Sequence, residues 1–155
     1  MSRNVTASAL KVRPYVAADE DTVIELWERT WQHAYPQIDF AERATWWRER
    51  WRNELVQQAK ILVAEMDGVL EGFVTVDPRT GYLDQIVVAP EFWGSNVATL
   101  LLDAGKRISP ARIELLVNKD NSRAIAFYEK NGFEMAGDDV NPTSGRPVFR
   151  MRWRP

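Results

Sequence analysis

The stretch "KILVAEMDGVLEGFVTVDPRTGYLDQIVVAP", residues 60–90, constrains the fold more than any other segment of the chain. Three runs of aliphatic and β-branched residues are separated by Asp67-Gly68 and by "DPRTG". A two-residue hairpin turn needs positive φ at both central positions, which Asp and Gly accept most readily, so the first two runs pair antiparallel. The second reversal sets the third run antiparallel to the second. Ile86, Val87 and Val88 end that third strand, and the chain passes directly into "EFWGSNVATLLLD". Gly94 permits the turn there, and Val97, Leu101 and Ala104 supply the buried stripe of a helix. A helix opening of this kind exposes N–H groups without internal partners and concentrates positive potential, so an anion is a natural occupant. A plain capped turn fits the same residues, and local sequence leaves both readings open.

The remaining elements fall around this meander. Leu10–Val16 alternates as a first strand, with Pro14 asking for an edge or a bulge, behind a loose tail over residues 1–9. From Asp19 the period changes: Val23, Leu26, Trp27, Thr30 and Trp31 recur every three or four residues, which predicts a helix ending near "HAYP". A second helix follows "QIDF", with Trp46, Trp47, Arg50, Trp51 and Leu55 on one face. The Trp residues and Tyr35 are read most simply as packing residues at helical spacing. Beyond the Gly94 helix, Arg112–Val117 is a fifth strand, "DNSRAIAFYEKNG" a short helix stopped by Gly132, and "FEMAGDDV" with "RPVFRMRW" a closing antiparallel pair. The order β-α-α-β-β-β-α-β-α-β-β gives seven strands and four helices in a single α+β domain over residues 1–155, with one mainly antiparallel central sheet.

Composition narrows the function. Twenty Lys and Arg against 22 Asp and Glu leave a net charge of −2, which offers no field for nucleic acid or an anionic membrane. With no Cys and one His, the chain has no disulfide, no cysteine nucleophile and no His-based metal cluster, so no metal is expected. No run approaches the roughly 20 apolar residues of a membrane helix, and the N-terminus lacks the apolar core of a signal peptide, so a cytoplasmic location is expected.

Two segments carry a family resemblance. "VAPEFWGSNVATLLLDAGKR" is similar to motif A of the GNAT N-acetyltransferases, a strand followed by V-x-P-x-x-[QR]-G-x-G-x-[GA] and a helix. "NSRAIAFYEKNGF" is similar to motif B, N-x-x-A-x-x-F-Y-x-x-x-G-F, matching at Asn121, Ala124, Phe127, Tyr128, Gly132 and Phe133. The order of elements agrees from Leu10 to Trp153. Two positions depart: Trp93 stands where the family has Gln or Arg, and Asn96 replaces the middle Gly of the loop, where either its tolerance of left-handed backbone angles would preserve the turn or its amide would cap the helix or meet a phosphate directly. Gly94 and Ala98 match.

The resemblance implies acetyl-coenzyme A in a cleft where the fourth and fifth strands splay apart. It assigns the strand segment Ile86, Val87 and Val88 to the thioester and pantetheine arm, and Trp93, Gly94, Ser95, Asn96, Val97 and Ala98 to the pyrophosphate. Asn121 and Ala124 would border the pantetheine, and Tyr128 would sit by the sulfur as general acid. An amine would attack the thioester directly. For the general base, Asp84 on the fourth strand is the first candidate, with Glu65 and His33 behind it. The loop "TWQHAYPQIDF" borders the acceptor site in the family, which points to Trp31, His33 and Tyr35 as contacts for a small-molecule or peptide amine. The C-terminal strand edges offer a surface for a homodimer. A non-catalytic domain that binds or senses acyl-coenzyme A is the alternative function.

Overall fold

The computed structural model describes residues 9–155, so most of the expected N-terminal tail lies outside the described residues. Strands β1 (Lys11–Pro14), β2 (Lys60–Met66), β3 (Val69–Val76) and β4 (Leu83–Val88) form an antiparallel sheet in chain order. Pro14 ends the edge strand, where its missing N–H costs no ladder bond. Asp67 and Gly68 take φ of 52° and 79°, the doubly positive turn their sequence predicts. Strands β5 (Ile113–Asn118), β6 (Glu134–Val140) and β7 (Pro147–Trp153) form a second sheet in the order β5-β7-β6.

The expected parting of the fourth and fifth strands is present. The two sheets meet in a single parallel bridge, Tyr82 to Glu114. Beyond it β4 and β5 diverge, and a bulge explains why: Gln85 pairs with Thr75 and Leu83 with Val76, leaving Asp84 as an extra residue in β4. An inserted residue bends its strand and deepens the local twist. The sheet therefore opens immediately after the bridge.

Helices cover both faces of the first sheet. α1 (Glu20–Ala34) lies on one face beside a continuous helical segment made of α2 (Ala44–Arg50), a π-helical turn (Trp51–Leu55) and α3 (Val56–Gln58). On the other face runs α4 (Val97–Ile108), with α5 (Ser122–Lys130) following β5. Val63, Phe73 and Val87 point to α1 and α2, whereas Ala64, Val74 and Val88 point to α4. Burial of both faces is why these strands read as almost unbroken apolar runs.

The α1–α2 core is aromatic. Trp27 stacks on Trp47 at 4.6 Å and 10° between planes, and Trp51 meets Phe73 edge-on at 5.4 Å. Trp51 also donates its indole N–H to the Tyr15 hydroxyl at 3.1 Å, which satisfies its one polar atom inside the core. Outside that core, Glu20 receives Arg48 at 2.7 Å and Arg52 at 2.6 Å, clamping the second helical segment to the start of α1.

Candidate active site

The divergence of β4 and β5 opens a cavity of about 780 Å³ that reaches from the α4 entrance to the α1–α2 aromatics. Its floor is the free side of β4. Gln85 N–H donates to the Thr75 hydroxyl at 3.1 Å and Ala89 N–H to the Glu71 carbonyl at 2.9 Å, both toward β3. Successive N–H groups alternate sides of a strand, so those of Ile86 and Val88 face the cleft. Ile86, Val87 and Val88 all line it.

At one end stands the turn into α4. Gly94 has φ of 83° with nothing within 4 Å of a Cβ built there, so the residue serves the turn and not close packing. Asn96 has φ of −89°, so the left-handed role expected for it is not used. Nor does its side chain cap the helix. The Ser95 hydroxyl approaches Val97 N–H at 3.4 Å, and no hydrogen bond is made by the N–H groups of Gly94, Asn96 or Ala98 among the described residues. A cluster of uncapped amides at the entrance of a 12-residue helix is the arrangement an anion completes. Trp93, Gly94, Ser95 and Ala98 line the cavity, whereas the Val97 side chain is buried in the core at 2% exposure.

Trp93, the departure from motif A, does structural work on both sides. Its indole donates to the Val88 carbonyl at 2.8 Å, fastening the loop to the end of β4. The Arg123 guanidinium lies over its ring at 3.8 Å, and His33 meets it edge-on at 5.1 Å. Burial draws the Arg123 guanidinium below its usual value, though an arginine so far above neutrality keeps its charge. The loop thus has a cation beside it, supplied from α5.

The opposite wall comes from α5. Asn121 is its N-cap, accepting from Ala124 N–H at 3.2 Å, and both residues line the cavity. One and two turns on, Ala124 and Tyr128 share a face of the helix. Tyr128 is 7% exposed, packs against Phe127 and Phe133, and borders the cavity. No hydrogen bond of its hydroxyl is made among the described residues, and burial pushes its phenol well above the usual value of about 10.

The base candidates separate clearly. Asp84, the bulge residue, lines the cavity, but its two oxygens accept from Arg50 at 2.9 and 2.7 Å. Glu65 lies away from the cavity in an ion pair with Arg13 at 2.7 Å. His33 stands behind Trp93 and does not line the cavity. Trp31 and Tyr35 do line it, stacked at 5.8 Å, and the Tyr35 hydroxyl donates to Asp120 at 2.8 Å while accepting from Asn118 at 3.0 Å. Burial raises the Tyr35 phenol, and Tyr82, beside Asp84, is pushed up to about 12 chiefly by burial.

Comparison with known proteins agrees with this geometry. The model of the Acetyltransferase (GNAT) family matches residues 20–133, which spans α1 through the end of motif B. The chain belongs to the GNAT acetyltransferase family. A curated relative, spermidine N(1)-acetyltransferase of Thermoplasma acidophilum, is 28% identical over 148 residues, covering 84% of this chain and 92% of that protein. The GNAT fold is shared with the crystal structure of PaiA N-acetyltransferase from Thermoplasma acidophilum in complex with coenzyme A. That match has a TM-score of 0.78 at 24% identity, covering 95% of this chain and 99% of the other. It is shared also with apo-form YjaB from Escherichia coli, at a TM-score of 0.74 and 21% identity over 94% and 97%. The expectation of an α+β, acetyl-coenzyme A-dependent N-acetyltransferase holds for this GNAT chain.

Sequence reading missed Arg50 as part of the site, although a signal was present. An arginine on the same helical face as Trp46, Trp47 and Trp51 must find a buried partner, and Asp84 is that partner. Arg123 carried no comparable signal, since its neighbour Trp93 is distant in sequence.

Proposed function

We propose that the chain transfers the acetyl group of acetyl-coenzyme A, its donor substrate, to the primary amine of a small molecule by direct attack, with Tyr128 as general acid. The observation that carries this reading is a single cleft with an uncapped amide cluster at one end, free β4 amides along its floor and an unpartnered phenol in its wall. The N–H groups of Gly94, Asn96 and Ala98 would take the diphosphate and those of Ile86 and Val88 the pantetheine and thioester. Asn121 would face the pantetheine. Amides fixed in place before reaction stabilise a developing oxyanion without reorganising, an effect on the order of 10²-fold or more per donor.

The chemistry balances without a metal. The amine nitrogen forms a bond to the thioester carbon, the carbon–sulfur bond breaks, and the departing thiolate takes the Tyr128 proton. The amine's own proton leaves to water. Asp84 serves as an electrostatic neighbour in this scheme and not as a free base, because Arg50 occupies both of its oxygens. The small-molecule character of the acceptor draws support from the amine named for the Thermoplasma acidophilum relative. The β6 edge, with exposed Met135 and Val140, is the surface on which a second copy would pair.

Calorimetry with coenzyme A and release of free coenzyme A in the presence of an amine test the reading together. Binding accompanied by amine-dependent release supports it. Binding without release for any amine favours the sensing domain instead.

A further inference from the structure

The end of the cavity remote from the Gly94 turn selects among amines. Trp31, Phe40, Arg43, Trp46, Trp47 and Arg50 build it. Around the whole cavity the described cations are Arg43, Arg50, Arg123, Lys130 and Arg146, five against the one carboxylate of Asp84. That carboxylate is spanned by Arg50, so none remains to hold the additional ammonium groups of a polyamine. Aromatic walls attract ammonium through their ring faces, but two of those faces are already taken. Arg43 lies over Phe40 and Arg50 over Trp47, each at 5.4 Å.

The cation at the mouth points to the opposite chemistry. Arg43 is exposed at the rim and makes no ion pair among the described residues. The indole N–H groups of Trp31 and Trp47 and the Thr30 hydroxyl are buried without hydrogen-bond partners. Trp46 stands 45% exposed at the mouth, a flat apolar face touching Trp47 alone among aromatic rings. An unpaired cation and an open aromatic face therefore stand together where an acceptor molecule enters.

We infer, resting on the acetyltransferase reading above, that the acceptor is a primary amine on an aromatic body that also carries a carboxylate, the chemical class of an aromatic amino acid, and that it is not a polyamine. Its ring lies along Trp46 and Trp31, its carboxylate meets Arg43, and its amine points down the cavity toward Tyr128. The bond changes are those already given: nitrogen to carbonyl carbon forms, carbon to sulfur breaks, and one proton passes from Tyr128 to sulfur while another leaves the amine to water.

The test measures free coenzyme A released by the full chain from acetyl-coenzyme A with phenylalanine, phenethylamine or spermidine, alongside calorimetric coenzyme A binding. The expected kcat/KM for phenylalanine exceeds that for phenethylamine by about tenfold, the worth of one charge-assisted carboxylate contact, and spermidine is the poorest of the three. Arg43→Gln brings the phenylalanine-to-phenethylamine ratio to within a factor of about two, and Arg43→Lys restores part of it. Spermidine matching or exceeding phenylalanine overturns the inference, as does an Arg43→Gln ratio equal to the unmodified chain's. Coenzyme A binding with none of the three amines acetylated overturns it as well, leaving the coenzyme site standing. Absence of coenzyme A binding instead overturns the acetyltransferase reading on which it rests.

Discussion

The two ends of the cavity are built on different principles. At the α4 entrance, the working groups are backbone amides, set by one glycine and the geometry of a strand that runs into a helix. At the α1–α2 end, the working groups are side chains of Trp31, Arg43, Trp46 and Trp47, brought to β4 by packing across half the chain. A backbone site tolerates changes of side chain, which is why Trp93 and Asn96 can depart from the family pattern while the turn and its free N–H groups persist. A side-chain site has no such tolerance, and the acceptor specificity it encodes is correspondingly particular to this chain.

The sharpest way to break this comparison is to remove a wall of the side-chain end. Trp47 is 1% exposed and stacked on Trp27, so Trp47→Ala should cost about 3–5 kcal/mol of stability, read as a lowered denaturant midpoint. A loss under about 1 kcal/mol would mean that the aromatic end collapses freely and is no fixed wall. Next in size, Tyr128→Phe removes a single proton donor between the two ends. Its kcat should fall about 10²-fold or more while calorimetric coenzyme A affinity changes less than threefold. Because burial raises the Tyr128 phenol, its protonated form persists beyond pH of about 10, so kcat in the parent chain should show no alkaline decline from this group below that point.

Gly94→Ala tests the backbone end. Any Cβ at φ of 83° carries a strain of about 1–2 kcal/mol, and since no neighbouring atom lies within 4 Å, that strain falls on the turn itself. Coenzyme A affinity should weaken about tenfold, with no comparable change in selectivity between amines. A selectivity change as large as the affinity change would show the two ends to be coupled.

These differences also set what was legible in the sequence. The hairpin at Asp67-Gly68, the strand–turn–helix at Gly94 and the helix stop at Gly132 are local, since each is decided by the backbone freedom of a few adjacent residues. The antiparallel order of β2, β3 and β4 was legible for the same reason, since two local turns set it. The parting of the sheet was expected only from the family resemblance; its local cause, the extra residue Asp84, is visible only once Thr75 and Val76 are matched to their partners. Asp84 read as a free carboxylate for want of Arg50, 34 residues away. The Asn96 backbone took an ordinary conformation because Gly94 alone supplied the reversal.

The smallest expected effect concerns the clamp beneath the side-chain end. Hydrogen bonds and charge from Arg52 first, then Arg48, hold the Glu20 carboxyl at about 2. A folded value below the unfolded one of about 4.3 contributes stability above the unfolded value, and that contribution is lost as pH falls through the folded one. The Tm gap between the parent chain and Glu20→Gln should therefore be full at neutral pH and close between pH of about 4.5 and 2. A gap that stays constant with pH would remove Glu20 as the clamp.

A crystal structure of the chain with coenzyme A bears most directly on the central claim. The account predicts the diphosphate against the N–H groups of Gly94, Asn96 and Ala98, with the sulfur beside the Tyr128 hydroxyl. A coenzyme seated elsewhere, or an entrance to α4 closed by the chain itself, would contradict it.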